Sequence, residues 1–389
     1  MTKNSLILFL VLMTTLSPFA IDIFIPALPI IAKSMSTSVD EMHWTITIYL
    51  FSLGVGQLFL GPLADKIGRR PVILTGLLIY LCCSIALFLI THFESHLVFR
   101  FFQGLGSCAL GVCTFACIRD SFDPKESSHI FNYLVSIRCL SPAFAPTLGH
   151  FLSVHFGWHS TFAFLAILCG LTLFFAYFFL QETRPSNSIK HSQLLPLKQY
   201  FNIVKSPVFL FNAIVLTLSM AMIFSYVSSS PVWLMQHLGL SQEAFTFWFS
   251  FNAAINIFTN LFLPKILLKR IKPKRLVSIG MVMMIIAGVV LAVLSKHESP
   301  ISYMLPVIIG TTGFAMLVGV CFAQALHPYP EKAGTASALL SFCQVAIGSV
   351  LVMVLHLLNL NAISQLLVIT SAFIPMVLFF HYSKVKVFE

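Results

Sequence analysis

Charge is what this sequence has least of. Only 9 % of its 389 residues are Asp, Glu, Lys or Arg, where a soluble globular domain carries roughly 25 %. Hydrophobic residues make up 58 % of the chain, and the mean hydropathy is +0.93. That balance excludes a soluble globular protein and leaves a chain solvated mainly by lipid. Long polar linkers are nearly absent. The nine cysteines all lie inside apolar runs without metal-ligand spacing, so they are expected to serve as small buried hydrophobes. G-x-x-x-x-G-K-[ST] is missing, which excludes a nucleotide-driven pump and leaves an ion gradient as the energy source. No cluster of nucleophile and base, or of metal ligands, is present. An enzyme is therefore not expected, nor a metal or cofactor. No repeated filter segment suggests a channel. The net charge of +10 would suggest nucleic acid if the bases formed an exposed patch. They fall between apolar runs instead, so no nucleic-acid partner is expected.

Twelve apolar runs are present, each near the roughly 20 residues that a spanning helix needs. They cover about 6–32, 42–64, 71–92, 96–118, 129–153, 159–181, 207–235, 243–267, 275–296, 302–325, 334–358 and 361–382. The first run is too long for a signal-peptide core and lacks a small-residue cleavage site, so it reads as an uncleaved helix. One connection, 181–206, is long and polar, and it divides the helices six and six. The expected organisation is a first bundle over 1–181, a cytoplasmic linker over 182–206 and a second bundle over 207–389. With both termini in the cytoplasm, nineteen of the 23 Lys and Arg residues fall on the cytoplasmic side. Lys33 and Lys296 fall on the other side, and Arg100 and Arg138 fall within spans. That asymmetry fixes the expected orientation.

Between the second and third runs stands GPLADKIGRRP, residues 61–71. Gly61 and Gly68 permit a tight reversal, and Asp65, Lys66, Arg69 and Arg70 crowd the hop. A shift of 204 residues lays Lys66-Ile67 on Arg270-Ile271, Arg70 on Lys274 and Gly76 on Gly280, an internal repeat with a degraded second copy. Such a duplication suggests two related bundles with the substrate site between them near the membrane midplane.

G-x-x-x-D-K-x-G-R-R resembles the loop between helices 2 and 3 of the major facilitator superfamily. RFFQGLG (100–106) resembles that family's intramembrane arginine motif, and SPAFAPTLGH (141–150) its Gly/Pro-rich antiporter signature, with His150 where a second glycine is usual. SPFAIDIFIPALP (17–29) and EKAGTASALLSF (331–342) resemble segments of the Bcr/CflA group of drug:proton antiporters. The resemblance covers essentially the whole chain. It implies an all-α membrane protein with twelve transmembrane helices in two pseudo-symmetric six-helix bundles. It also implies a monomeric proton-coupled exporter of the bacterial inner membrane, of drug or multidrug type, working by alternating access. A dedicated exporter of an endogenous anion such as a carboxylate siderophore stays open as an alternative. A proton-driven uptake symporter fits less well, because the Gly/Pro motif argues against it.

The resemblance assigns Gly61, Asp65, Gly68, Arg69 and Arg70 to a conformational gate that latches the second helix against the eleventh. Asp22 is the acid placed well inside a span, where an ionised carboxylate costs at least ~2.5–3.5 kcal/mol. It is expected to carry the proton, the competing readings being a structural pair with Arg100 or a place at the far interface, since Pro26 and Pro29 are close behind. Arg100 is a fixed charge, and Gln103 shares its face. Pro142, Pro146 and Gly149 form one smooth face of the fifth helix, expected to bend against a neighbour in the other half, the eighth helix. Arg138 lies on that face and is expected to point into the cavity, which favours an anionic or zwitterionic substrate, or to meet Asp22 or a carbonyl. Asn252, Asn256 and Asn260 recur every four residues, as cavity lining or as interhelical glue. Tyr226, Trp233, Gln324 and Gln344 are weaker pocket candidates.

Overall fold

The computed structural model describes residues 3–184, 197–267, 271–329 and 332–382. Lipid offers backbone amides no partner, so a spanning segment has to satisfy its own hydrogen bonds, and helices are the outcome. Every described element is helical. In the first unit these are α1 (Lys3–Asp22), a short 3₁₀ turn (Ile25–Ala27), α2 (Leu28–Ser34), α3 (His43–Ile67), α4 (Arg69–Leu89), α5 (Phe93–Ser121), α6 (Pro124–Phe156) and α7 (His159–Phe179). The second unit contains α8 (Leu197–Val204), α9 (Pro207–Pro231), α10 (Gln242–Leu267), α11 (Pro273–Leu294), α12 (Pro300–Leu326), α13 (Ala333–Phe342), α14 (Gly348–Leu357), α15 (Ala362–Ser371) and α16 (Phe373–Tyr382). The chain divides into compact units Met1–Leu195 and Pro196–Glu389. Among the described residues ten helical runs are long and apolar enough to cross a membrane, and α6 and α10 bring the long runs to twelve.

Several expected single spans are interrupted. The run over 6–32 breaks after Asp22: two turn residues and the 3₁₀ segment intervene before α2. Pro26 lacks the N–H that would bond the Asp22 carbonyl, and Pro29 follows. The run over 361–382 breaks at Ala372, three residues before Pro375. Wider π-type turns occur at Val232–His237, directly after Pro231, and at Cys343–Ile347. The polar stretch 182–206 also contains structure of its own. The short helix α8 buries Tyr200 and Ile203, and the Tyr329 hydroxyl donates to the Ile203 carbonyl at 3.3 Å.

Small residues set the closest helix crossings, as expected where van der Waals contact rather than hydrophobicity drives association. A Cβ on Gly106 would lie 2.8 Å from the Gly76 carbonyl oxygen, and one on Gly76 would lie 3.2 Å from that of Gly106. The second unit repeats this between α11 and α12, where Gly313 faces the Gly280 carbonyl at 3.0 Å and the reverse approach is 3.2 Å. The internal repeat therefore extends to packing. Of the eight described cysteines none is in a disulfide, six are buried, and Cys82 is exposed.

Candidate functional site

Two polar constellations occupy the first unit, one at membrane depth and one at the α3–α4 reversal. The deeper one is built where helix 1 breaks. Asp22 ends α1 and is only 4 % exposed. Among the described residues it makes no hydrogen bond or ion pair, so the expected alternative of a structural pair with Arg100 is not what the structure holds. Arg100 is wholly buried on α5. Its Nε donates to the Thr45 carbonyl at 3.1 Å, and its Nη1 donates to the Ala20 carbonyl at 2.9 Å and to Gln103 Oε1 at 2.7 Å. The guanidinium lies over the rings of Phe24 and Tyr49, with centroid distances of 4.6 and 4.5 Å. Its Nη2 is buried without a hydrogen-bond partner.

A connected network holds this arginine in place. Gln103 Nε2 donates to Ser84 Oγ at 2.9 Å, and Ser84 donates to the Tyr80 carbonyl at 2.8 Å. The Tyr80 hydroxyl donates to the Leu16 carbonyl on α1 at 2.9 Å. Tyr49 reaches the Ser17 carbonyl at 3.1 Å and Ser107 Oγ at 2.5 Å. Helices α1, α3, α4 and α5 are thus tied around Arg100. Connected networks of this kind fix geometry in a low-dielectric interior. His96, one turn before Arg100, is wholly buried with both ring nitrogens lacking a hydrogen-bond partner, and its edge meets Phe162 at 5.3 Å. A lone histidine near a span end carries no periodic signal, so nothing in the sequence singles it out.

Helix α6 closes on the same break. A Cβ on Gly149 would overlap the Ile23 carbonyl oxygen. The Gly/Pro face, with Pro146 buried and Pro142 half-buried, therefore rests at Gly149 on helix 1 of its own unit, where the sequence had suggested a neighbour in the other half. Arg138 is exposed on α6, and its charge is within electrostatic reach of Tyr49.

At the α3–α4 reversal, Arg69 is 4 % exposed and pairs with two acids, Asp65 at 2.5 Å and Asp120 at 3.0 Å. Asp120 comes from the end of α5 and was not anticipated. Gly68 takes φ +109°, a conformation open essentially to glycine alone, and a Cβ there would collide with Glu182 Oε2. Glu182 was also not anticipated. Its carboxylate accepts the Arg69, Arg70 and Arg184 backbone N–H groups at 2.8, 3.2 and 2.9 Å, capping the start of α4. Burial alone would raise its carboxyl, but these N–H groups overcome that and hold it below the ordinary value of 4.5. Arg184 in turn donates to the Asp65 and Lys66 carbonyls at 3.1 and 2.7 Å, capping the end of α3. Gly61 packs loosely, its nearest neighbour being Val112 Cγ1 at 3.7 Å from an added Cβ. Arg70 donates Nη2 to the Tyr177 carbonyl at 2.9 Å.

In the second unit Asn252 accepts from Thr311 Oγ1 at 3.1 Å, and Asn256 donates to the Thr311 carbonyl at 3.5 Å. Asn260 donates to Asn256 at 2.6 Å. The stripe is committed to joining α10 to α12. Tyr226 is buried and stacks on Phe249 at 5.4 Å, and Trp233 stacks on His237 at 4.2 Å. Gln344 is buried within the wide turn Cys343–Ile347, while Gln324 is half-buried on α12. Lys269, Arg270 and Glu331 lie outside the described residues.

Comparisons with known proteins accord with this geometry. Residues 10–353 match the family model described as Major Facilitator Superfamily. The Multidrug resistance protein MdtL of Escherichia coli O81 (strain ED1a) is 30 % identical over 357 residues, covering 92 % of this chain and 90 % of that one. MdtL of Citrobacter koseri is 30 % identical over 352 residues, covering 90 % and 88 %. Among solved structures, a D-xylose-proton symporter superposes with a TM-score of 0.80 at 15 % identity, covering 99 % of this chain and 98 % of that one. The human organic anion transporter MFSD10 (TETRAN) superposes at 0.70, also at 15 % identity, covering 98 % and 100 %.

Proposed function

The chain belongs to the major facilitator superfamily, and from that premise we propose that it exports drug-like small molecules across the bacterial inner membrane in exchange for protons, by alternating access, with both termini in the cytoplasm. It is a transporter and not an enzyme. The reading of the cargo is supported by relatives named for multidrug resistance that align over about nine-tenths of both chains.

One observation carries the proton coupling: Asp22 is a buried carboxylate with no partner among the described residues, placed at a break in its helix. A salt-bridged acid would be held ionised by its partner. An unpaired one is free to take up a proton on one side and release it on the other. Arg100 cannot follow it through such a cycle, because a guanidinium keeps its proton. Its role is to hold a constant positive charge beside the break, fixed by carbonyls of α1 and α3. The chemistry is thus a moving proton on Asp22 against a stationary charge on Arg100.

In this reading the Asp65–Arg69–Asp120 cluster, with Gly61, Gly68 and Arg70, forms the cytoplasmic gate. The Pro142, Pro146 and Gly149 face of α6 is the hinge, resting on helix 1. Arg138, Tyr226, Trp233 and Gln344 are the side chains proposed to meet substrate, while Gln103, Asn252 and Asn256, whose side chains bond within their own unit, hold its helices together. The test is substrate-induced proton release in everted vesicles, comparing wild type with Asp22→Asn against a panel of lipophilic cations and polycarboxylates. Wild type is expected to exchange protons for cations, and the Asp22→Asn variant to lose exchange at least tenfold. Undiminished coupling in the variant would remove Asp22 from the proton path. A response confined to polycarboxylates would replace the drug reading with export of an anion, the substrate class to which an exposed Arg138 is complementary.

A further inference from the structure

Each unit carries an apolar groove on its surface, and the two differ in one respect. In the second unit a groove of about 360 Å³ runs between α11 and α15–α16, lined by Gly288, Val289, Leu367 and Ile374 among others, with no charged lining residue. In the first unit a groove of about 520 Å³ runs between α4 and α7, lined by Leu74, Thr75, Leu78, Gly170, Phe174 and Tyr177 with their neighbours. The α4–α7 groove ends at a guanidinium on the wall helix itself, whereas the base nearest the second groove along its chain, Lys296, stands in the turn beyond α11. Arg70 stands at i−4 to Leu74 and i−8 to Leu78, heading the helical stripe that forms one wall.

The Arg70 guanidinium faces no carboxylate in an ion pair among the described residues. Its Nη2 donates to the carbonyl of Tyr177, itself a lining residue, and its Nε is buried without a partner. The nearby acid, Glu182, already receives three backbone N–H groups. Lys66 and Arg184 add further positive charge at the same end, since Arg184 is bonded to the Lys66 carbonyl. An apolar channel that opens on a guanidinium with no side-chain ion pair is complementary to one kind of membrane component.

We propose that the α4–α7 groove is a binding site for an anionic phospholipid, with an acyl chain along Leu74, Leu78 and Phe174 and the headgroup phosphate on Arg70. Guanidinium is the side chain best suited to a phosphate, and basic residues close to the membrane surface attract anionic lipid. This goes beyond the transport reading and does not depend on which substrate is moved.

The test is native mass spectrometry of the full-length protein, titrated with phosphatidylglycerol and with phosphatidylethanolamine of identical acyl chains. Wild type is expected to retain phosphatidylglycerol about fivefold more tightly, the discrimination one basic residue supplies at an anionic surface. Arg70→Gln should erase the difference between the headgroups, and Arg70→Lys should keep most of it. Leu78→Trp fills the groove at a side chain already 53 % exposed and should weaken both lipids. If Arg70→Gln does not yield folded protein, Leu78→Trp decides alone. Equal retention of both lipids by wild type, an unchanged preference in Arg70→Gln, or undiminished binding in Leu78→Trp would each overturn the proposal. So would a lipid-free dimer that Leu78→Trp dissolves, since a second copy would then be the occupant.

Discussion

Gly149 has no room for a side chain, because even a methyl group would overlap the Ile23 carbonyl oxygen. The broken end of α1 cannot shift without disturbing the Arg100 network, to which it contributes the Ala20 carbonyl. Gly149→Ala is therefore expected to cost at least ~3 kcal/mol, the upper end of overpacking penalties, read as a loss of folded protein in detergent thermal melts. Gly61→Ala, meeting only Val112 at 3.7 Å, should melt like wild type. Gly68→Ala should cost ~1–3 kcal/mol from backbone conformation alone, before its Cβ meets Glu182. Glu182 itself predicts a pH dependence. Its folded carboxyl lies below the ordinary 4.5, so the stability it confers is complete above that pH and is lost as pH falls through the folded value. Melting temperature should drop between about pH 5 and 3 in wild type, and the drop should be smaller in Glu182→Gln.

At the scale of elements, the ends of α3, α4 and α5 are joined by Arg69, and a buried charge stripped of its partner is costly. Arg69→Ala leaves Asp120, whose side chain is 6 % exposed, facing only the distant and exposed Arg119 at 3.7 Å. The expected loss is ~3–5 kcal/mol. Adding Asp120→Asn to Arg69→Ala should recover part of it, which a double-mutant cycle of melting free energies would read as coupling. How much of this was legible depends on the kind of signal. The spans were, because lipid imposes long apolar runs: the expected helix over 96–118 is observed as Phe93–Ser121. The breaks were not. Pro26 and Pro375 stand in plain view, but whether a proline bends or ends a membrane helix is decided by what neighbouring groups satisfy. Asp22, Arg100 and Gln103 could be singled out by their rarity at depth. Asp120 and Glu182 could not, since their partners lie 51 and 113 residues away and one sequence records no such pairing. Asn252 and Asn256 showed a periodic stripe, and only the fold shows that Thr311 takes them up.

For the whole molecule, the distribution of bases predicts that both ends lie on the same, cytoplasmic side. An alkaline phosphatase fused after residue 382 should be inactive, and one inserted in the loop at 295–299 should be active; the opposite pattern would invert the topology. The paired glycine crossings, Gly76 with Gly106 and Gly280 with Gly313, show that duplication kept the packing of each unit while letting its chemistry diverge: a shift of 204 puts Tyr226 where the first unit has Asp22. In the first unit α5 passes through both constellations. It carries Arg100 at one end and Asp120 at the other, twenty residues and therefore ~30 Å apart along one axis. The helix is clamped to its neighbours at Gly104 and Gly106 and cannot compress. It is a rigid strut: the network around Arg100 and the ion pair at the α3–α4 reversal are held at a fixed separation along it.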